Sequence, residues 1–251
     1  MKRRRKTIIA GELVKIVEST PPMPRDDQRT RRGRQRETGA IQKALNYRTA
    51  QGRLEEKLAA NFSCRDYFIT FTYRAGAEPA DRQAAKKHRA KFIRLLRQAR
   101  SRRGQQLKWI MAIENKHGDG RYHFHAAINA TGFEAADREE IISLWQYGEA
   151  HIERLFNGAH DSGEDFNSWL QIARYMTKER PEDGPDITPN GAQLYSCSRN
   201  LNRPIVITEW IEPGERVIIP AGAVGVERRE SETEFGVFNY YRYMTKPIKR
   251  E

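Results

Sequence analysis

The chain has 251 residues, of which 38% are hydrophobic, so it is long enough to bury one substantial core with appended elements. Lys and Arg number 45 against 33 Asp and Glu, which gives a formal net charge of +12. Most of the excess lies in residues 1–36 and 81–103, and the rest of the chain is slightly acidic. Concentrated positive charge favours a polyanionic partner, most simply nucleic acid, although a generic basic surface gives the same composition.

The same composition disfavours membrane and secreted proteins. No apolar run reaches membrane-spanning length. Gly11, Glu12 and Lys15 interrupt the segment that follows the basic N-terminus, so no signal peptide is expected. Cys64 and Cys197 match no zinc-ribbon or redox spacing. We therefore expect a soluble cytoplasmic protein with reduced thiols and no membrane association.

The N-terminal region, residues 1–61, is predicted to be a basic arm followed by a helix. Residues 7–18 favour one or two short strands, and residues 21–37 are too rich in Pro, Asp and Arg to bury a core. The latter are typical of a linker or of an arm that DNA orders. A helix is expected over residues 40–60, with an apolar stripe at Ile41, Ala44, Leu45, Leu54 and Leu58.

The central region, residues 62–182, alternates strand and helix patterns in the order β-α-β-β-α-β-α. The first six elements match the split βαβ arrangement, an antiparallel, ferredoxin-like sheet with its helices on one face. The other face is then left for a site. The predicted elements are strand 66–73, helix 79–103, strands 107–114 and 122–128, helix 137–147, strand 149–156 and helix 165–179.

The last region, residues 183–251, is first rich in Pro and Gly and then strand-like at residues 204–210, 216–219 and 235–243. We predict a small β-rich extension here. The fold class expected for the whole chain is therefore α+β, with the N-terminal arm and helix and the C-terminal extension flanking the split βαβ sheet.

His123-Phe124-His125 is the most informative motif. Side chains two apart on a strand point to the same face, so both imidazoles project together while Phe124 points the other way. Glu114 ends the preceding strand, and a hairpin that pairs residue 114 with residue 123 places its carboxylate beside the imidazoles. Two neutral imidazoles and one carboxylate suit a divalent ion with open coordination positions.

The types of the candidate ligands limit which metal ions the site could bind. The mixed nitrogen and oxygen set permits Mg²⁺, Mn²⁺ or Zn²⁺, and phosphate chemistry favours Mg²⁺ or Mn²⁺. Asp119 and Asn115 are weaker alternatives to Glu114. Of the remaining histidines, only His151 lies on a predicted strand from which it could approach the ion.

Tyr175-Met176-Thr177-Lys178 is the second candidate motif. Residues three apart on a helix are neighbours, so Lys178 is expected beside the Tyr175 hydroxyl. A tyrosine keeps its proton to a pH of about 10, and a nearby cation favours the phenolate needed for nucleophilic attack. Most helical Tyr–Lys pairs are packing plus a solvated charge. The same four letters recur at 243–246, shortly before Pro247 at the end of an aromatic strand, so Tyr175 is the favoured nucleophile.

These motifs, in this order, resemble the HUH endonucleases, and more closely the rolling-circle replication-associated proteins related to the filamentous-phage gene II replication protein. The resemblance covers about residues 62–200. The tyrosine follows the histidine pair, as in replication initiators, whereas in conjugative relaxases it precedes them. The resemblance rests on Phe68-Ile69-Thr70-Phe71-Thr72, Glu114, His123-Phe124-His125, Tyr175-Met176-Thr177-Lys178 and Tyr195-Ser196-Cys197-Ser198-Arg199-Asn200.

The resemblance implies that Mg²⁺ or Mn²⁺ on His123, His125 and Glu114 polarises a phosphodiester of single-stranded DNA at a replication origin. Tyr175 then forms a 5′-phosphotyrosine link and releases a 3′-hydroxyl for a host polymerase, with Lys178 assisting through its charge. The sequence contains no Gly-Lys-Thr/Ser phosphate loop, so a host helicase is the expected partner for unwinding.

A second nucleophile and further DNA contacts are also implied. Only one tyrosine matches the family pattern, and Tyr147 and Tyr243 are the candidates for a second. The basic helix 81–103 and the N-terminal arm are expected to hold phosphates in a salt-dependent manner, although a solvated helix face is the alternative. A structural turn explains segment 195–199 equally well. The residues predicted to contact DNA are Lys91, Arg94, Arg97, Tyr195, Ser196, Ser198 and Arg199.

Other functions remain compatible with these patterns. A single-strand transposase would share the metal and the tyrosine, but is usually smaller and joins DNA with hairpin ends. A non-catalytic nucleic-acid-binding module with a ferredoxin-like fold explains the charge and the sheet, but not the conjunction of the motifs. An iron oxygenase with two histidines and one carboxylate fits poorly, because the helices alternate with the strands.

Overall fold

The computed structural model describes residues 2–20, 40–115, 121–156, 168–177, 193–233 and 236–246. The chain divides into two compact units, one from Met1–Ala50 with Arg203–Pro247 and one from Gln51–Asn202. These units cut across the three predicted regions, because strands from both ends of the chain pair with one another. Within the described ranges, no helix combines the length and apolar character that a bilayer crossing requires.

In the described residues, helices are interspersed among the strands as far as the fourth helix, and the elements after it are all strands. The helices are α1 (Ala40–Asn61), α2 (Arg82–Arg102), α3 (Glu134–Leu144) and α4 (Trp169–Met176). The strands are β1 (Arg3–Ala10), β2 (Leu13–Ser19), β3 (Tyr67–Phe71), β4 (Trp109–Glu114), β5 (His123–Ile128), β6 (Ala150–Arg154), β7 (Tyr195–Cys197), β8 (Ile205–Ile211), β9 (Val224–Thr233) and β10 (Gly236–Met244).

The described strands form two five-stranded antiparallel sheets. The central sheet has the order β6-β3-β5-β4-β7, and the terminal sheet has the order β8-β1-β2-β10-β9. The predicted α+β class is confirmed, and the elements of the central region follow the predicted order with ends that differ by a few residues.

The core of the central unit lies between its sheet and helices α2 and α3. Ile69, Phe71 and Phe124 alternate toward these helices and are buried. Trp145, which follows α3, packs its ring 4.9 Å from that of Phe71 and 5.7 Å from that of Phe124. Full burial of one such side chain stabilises the fold by about 1.5–3 kcal/mol, so this cluster fixes which face of the sheet the two helices cover.

The opposite face of the central sheet carries the alternate residues of the same strands, including Phe68 and His125. Helix α4 lies against it, because the Tyr175 ring meets the Phe68 ring edge-on at 5.7 Å. Gln51 of α1 donates a hydrogen bond of 3.1 Å to the hydroxyl of Thr177, which follows α4. Helix α4 therefore brings its tyrosine to the face that α2 and α3 leave open.

The terminal sheet begins earlier than predicted. The basic residues before position 7 are part of β1, because Arg3 and Arg5 find a carboxylate partner on the neighbouring strand. Their guanidinium groups lie 3.2 and 2.7 Å from Glu18 of β2, whose side chain is buried. A stretch that is basic in sequence is thus accommodated as a strand by ion pairing on one face.

Two features of the chain after β8 differ from the prediction. The expected strand at 216–219 is wrong: in the described part of the chain these residues form no strand, and Val217 and Ile219 pack as irregular backbone near Val14 and Ile16. Strand β9 was not predicted, since its polar sequence lacks an apolar alternation, and it forms by pairing with β10.

Candidate active site

The β4–β5 hairpin has the register expected from the sequence. Glu114 lies directly opposite His123, and Ala112 lies opposite His125. Directly opposed residues of an antiparallel pair share a face, and so do residues two apart on one strand. The prediction that Glu114, His123 and His125 share one face is therefore confirmed.

His125 is held at both ring nitrogens. Its Nε2 lies 2.6 Å from Oε2 of Glu114, and its Nδ1 lies 3.3 Å from the hydroxyl of Thr70 on β3. Both Glu114 and His125 are buried. A carboxylate on one side of an imidazole and a hydroxyl on the other fix the rotation of the ring, which is how ligating histidines are usually oriented.

Two imidazoles and a carboxylate are suitable ligands for a divalent ion, but in the described structure His123 is not grouped with Glu114 and His125 around one point. Across the described ranges, no group of three or more His, Cys, Asp or Glu side chains lies close enough to hold a metal. Glu114 and His125 are in contact, whereas His123 is half-buried at the start of β5, on the same face and opposite Glu114. Asn115 is buried, and its Oδ1 has no hydrogen-bond partner among the described residues; Asp119 lies outside them.

Tyr175 lies directly beside this pair. The centre of its ring is 4.9 Å from that of His125, with the rings at 66°. Thr177, two residues on, donates to the carbonyl of Ala173 at 2.7 Å and accepts from Gln51, which anchors the end of α4. Lys178 lies outside the described residues, so its predicted place beside the tyrosine hydroxyl stays a prediction.

The other two tyrosines considered are placed differently. Tyr243, in the repeated motif, is buried in the core of the terminal unit with Val14 and Ile16, and this burial raises its pKa. Tyr147 stacks on His88 of α2 at 3.9 Å and packs against the core on the α2 side of the sheet. Neither is in contact with His125 in the described structure.

The basic residues of α2 are not brought to this site. Lys91, Arg94 and Arg97 are exposed on a helix that packs against the face opposite to His125. Lys91 also donates to Gln146 at 3.0 Å. Any DNA they contact would run along the far side of the sheet.

Segment 195–199 forms an edge strand and its continuation, a strand that was not predicted. Tyr195 lies opposite Ala112, which places it in the same row as His125 on the site face, whereas Ser196 lies opposite Met111 on the other face. Burial raises the pKa of Tyr195 to about 12. Ser198 is buried and exchanges hydrogen bonds with the backbone of Trp109, whereas Arg199 is exposed.

Three neighbours of the site were assigned no role from the sequence. Thr70 and Phe68 lie on the site face of β3. They are two residues apart, the spacing that puts side chains on the same face of a strand, and this spacing could have identified them from the sequence. Lys57 of α1 lies 5.4 Å from the centre of the Tyr195 ring. No local pattern marks this lysine, because its position depends on how α1 packs.

His151 shares the site face but not the site. It lies opposite Thr70 on β6, and Thr70 lies opposite His125, so two strand spacings of about 4.8 Å separate the histidines. Its Nε2 lies 3.1 Å from Glu153. Its ring therefore contacts a carboxylate of its own strand, two strands away from His125.

The fold and the site together define a class: an antiparallel α+β sheet with two histidines and a glutamate on one face, and a helical tyrosine against them. Residues 66–180, just under half of the chain, match the family of replication-associated proteins that is named for ORF2 and the phage gene II protein. This stretch includes all three candidate ligands and Tyr175, and the predicted resemblance is thereby confirmed. Comparison with curated proteins and with solved structures gave no match.

Proposed function

We propose that this chain nicks single-stranded DNA and transfers the cut strand through a 5′-phosphotyrosine on Tyr175. It would thereby initiate rolling-circle replication of a plasmid, a phage or an integrated element. The observation that carries the proposal is the contact of the Tyr175 ring with His125, at 4.9 Å, while His125 is 2.6 Å from Glu114. The family match supports the replication-associated part of this function.

The reaction is a transesterification in which Tyr175 is the nucleophile. Its phenolic oxygen forms a bond to phosphorus, while the bond between phosphorus and the 3′ oxygen of the preceding nucleotide breaks. The phenol loses its proton, and the departing oxygen gains one to become a free 3′-hydroxyl. One phosphoester replaces another, so a 3′-hydroxyl can later attack the phosphotyrosine and rejoin the strand.

The surroundings of Tyr175 position its ring. Phe68 and His125 both meet the ring edge-on, at 5.7 and 4.9 Å, and the end of α4 is tied to α1 through Thr177. A nucleophile held in a narrow range of orientations reacts faster, because less rotational freedom is lost on reaching the transition state. The half-buried phenol still has access to solvent and hence to a DNA strand.

His123, His125 and Glu114 are the residues that would hold a divalent ion, Mg²⁺ or Mn²⁺. Such an ion, when bound, would polarise the phosphodiester and offset the negative charge that develops on its oxygens. The buried Glu114 would supply negative charge toward such an ion, and Thr70 restrains the His125 ring through its hydroxyl. Lys178 would add positive charge near the phenol.

The products define the partners. A free 3′-hydroxyl is a primer for a host polymerase, and a host helicase would separate the strands ahead of it. Tyr195 and Arg199 are the best placed of the predicted DNA contacts, because Tyr195 lies in the row of His125 and Arg199 is exposed two residues after β7.

The two copies of the Tyr-Met-Thr-Lys motif supply a matched test. Tyr175→Phe should abolish covalent capture of end-labelled, single-stranded origin DNA, whereas Tyr243→Phe should capture DNA as the parent does. The adduct is trapped in denaturing gels with Mn²⁺ present, and the modified peptide is mapped by mass spectrometry. Binding measured in EDTA should stay within about twofold in both variants, because a phenol hydroxyl adds little to phosphate contacts.

The outcomes separate the competing functions. Capture that persists in Tyr175→Phe and disappears in Tyr243→Phe contradicts the assigned nucleophile. Binding without any cleavage in Mg²⁺ or Mn²⁺ identifies a nucleic-acid-binding module. Joining of strands that carry hairpin ends, in preference to nicking at an origin, identifies a transposase.

A further inference from the structure

Alternate residues of β1 point to opposite faces of the terminal sheet. The basic residues on one face form ion pairs, whereas those on the other face are exposed to solvent. Arg3 and Arg5 share one face with Glu18 and pair with its carboxylate. Arg4 and Lys6 occupy the other face, and both are exposed. One strand therefore presents two ion-paired cations on one side and two solvent-exposed cations on the other.

The face of Arg4 and Lys6 also carries aromatic side chains. Directly opposed residues in the registers of β8, β1, β2, β10 and β9 form rows across this face. One row contains Trp210, Arg4, Ser19, Phe238 and Ser231, and the next contains Thr208, Lys6, Val17, Tyr240 and Arg229. Cationic and aromatic residues thus lie side by side within two adjacent rows.

Trp210 is the most conspicuous of these residues, because it is 62% exposed. The other tryptophans of the chain, Trp109, Trp145 and Trp169, are all buried. An indole left in water beside an exposed guanidinium forgoes the free energy of burial, and such surfaces are typical of binding sites.

We propose that this surface, which we call the Trp210 face and define by Arg4, Lys6 and Trp210, binds single-stranded nucleic acid. Bases stack on an exposed indole without regard to sequence, and adjacent cations hold the phosphates that follow. A flat sheet face offers unpaired bases a stacking platform but does not enter a duplex groove. Two exposed cations beside the indole disfavour an apolar protein partner, since charged residues are depleted at interface cores. The inference concerns the terminal unit alone and does not require the cleavage reaction proposed for Tyr175.

The fluorescence of Trp210 can itself report whether DNA covers this face. Because the other three indoles are buried, acrylamide should quench tryptophan fluorescence mainly through Trp210. A mixed-sequence DNA oligonucleotide of about 20 nucleotides, long enough for one binding surface, is added to the full chain in EDTA so that cleavage cannot contribute. Saturating DNA should lower the acrylamide quenching constant, and a duplex of the same sequence should protect the indole less.

Matched variants of the two faces test the assignment by fluorescence anisotropy with the same labelled strand. Trp210→Ala should weaken binding by about 5- to 150-fold, the range for loss of one stacking platform. Ile207→Ala alters the opposite face of the same strand, where Ile207 opposes Thr7, and should leave affinity unchanged.

Arg4→Gln should lower the slope of log affinity against log salt by about 0.7, the value for one phosphate contact on a single strand. Arg228→Gln removes an exposed charge from the opposite face and should leave the slope unchanged.

The proposal is overturned if bound DNA leaves Trp210 open to acrylamide and Trp210→Ala binds DNA as the parent does. It is equally overturned if Trp210→Ala leaves DNA affinity intact but converts a dimer to a monomer in sedimentation, because the face would then be a protein interface. Nicking activity plays no part in these measurements, so a failure here and a failure of the Tyr175 proposal are distinguishable.

Discussion

His125 is the side chain on which the candidate active site is built. Its two ring nitrogens face a buried carboxylate and a hydroxyl, and its ring packs against that of Tyr175 at 66°. Each neighbour comes from a different element: Glu114 from β4, Thr70 from β3 and the tyrosine from α4. A ring restrained from three sides has little freedom to rotate, so its two nitrogens keep fixed directions, as the hydrogen-bond partners of a ligating histidine usually ensure.

The charge of Glu114 is the property that a divalent ion needs from it. Glu114→Gln keeps an acceptor for His125 but removes the negative charge, so the fold should persist while the half-saturating Mn²⁺ concentration for cleavage rises at least about tenfold. Mn²⁺ binding followed by electron paramagnetic resonance gives a readout that does not depend on cleavage.

Glu153→Gln is the matched control for that change. Glu153 contacts His151 on the edge strand of the same sheet, so its neutral variant should titrate with Mn²⁺ as the parent does. An unchanged Mn²⁺ dependence in Glu114→Gln would show that this carboxylate is not a ligand.

At the scale of elements, a buried polar cluster ties α2, α3 and β3 together. Tyr67 of β3 donates to Asp137 of α3 at 3.0 Å, and Arg100 of α2 lies 3.6 Å from the same carboxylate. Thr131 also donates to it, through its backbone and its hydroxyl, each at 2.8 Å. Burial, together with the Asp137 charge, raises the pKa of Tyr67 to about 12. A buried carboxylate that accepts hydrogen bonds from β3 and from the residues before α3, and that pairs with a cation of α2, fixes how these elements meet.

Tyr67→Phe should lower the free energy of unfolding by about 1–3 kcal/mol at neutral pH, because Asp137 loses a buried donor. The pKa of Tyr67 in the folded state, about 12, exceeds the ordinary tyrosine value, about 10. The contribution is therefore complete below a pH of about 10 and is lost as the pH rises through about 12.

Urea unfolding at pH values of about 8 and about 11 measures this change, and the difference between parent and variant should be smaller at the higher pH. Tyr122→Phe is the control, since Tyr122 is half-buried against the same core and is not one of the described donors to Asp137. Its effect should stay within about 0.5 kcal/mol. A Tyr67→Phe chain as stable as the parent at both values would contradict the prediction.

At the scale of the whole molecule, the two ends of the chain share one sheet. β1 lies between β8 and β2, and β2 lies between β1 and β10, so the N-terminal hairpin forms the middle of a sheet whose other strands come from the C-terminal region. Such pairing closes a long loop, which is costly in chain entropy and makes the sheet dependent on its central strands.

Deletion of residues 1–20 should therefore unfold the C-terminal strands. β8 loses its only partner in the described sheet and β10 loses one of two, so trypsin cleavage within 203–246 should accelerate by about tenfold or more. Arg4→Gln, which leaves the strand pairing intact, is the control. Mass spectrometry identifies the cut sites, and unchanged protection of 203–246 in the deleted chain would contradict a shared sheet.

The sequence by itself determined the features that depend on local periodicity. Side-chain alternation and the hairpin spacing placed Glu114, His123 and His125 on one face, and the register agrees. The apolar spacing of α2 marked Phe92 and Leu96 as buried, although Ile93 also enters the core and Leu95 is only half-buried. These properties follow from backbone geometry that repeats every few residues.

Only the tertiary structure decided which distant segments meet. Two identical tetrapeptides place one tyrosine against His125 and the other in an apolar core, although context alone favoured the first. The polar β9 becomes a strand because β10 offers its edge, and Trp210 is left exposed because nothing in the described sheet continues beyond β8. Such outcomes depend on the summed free energy of contacts far apart in the chain, to which local patterns contribute little.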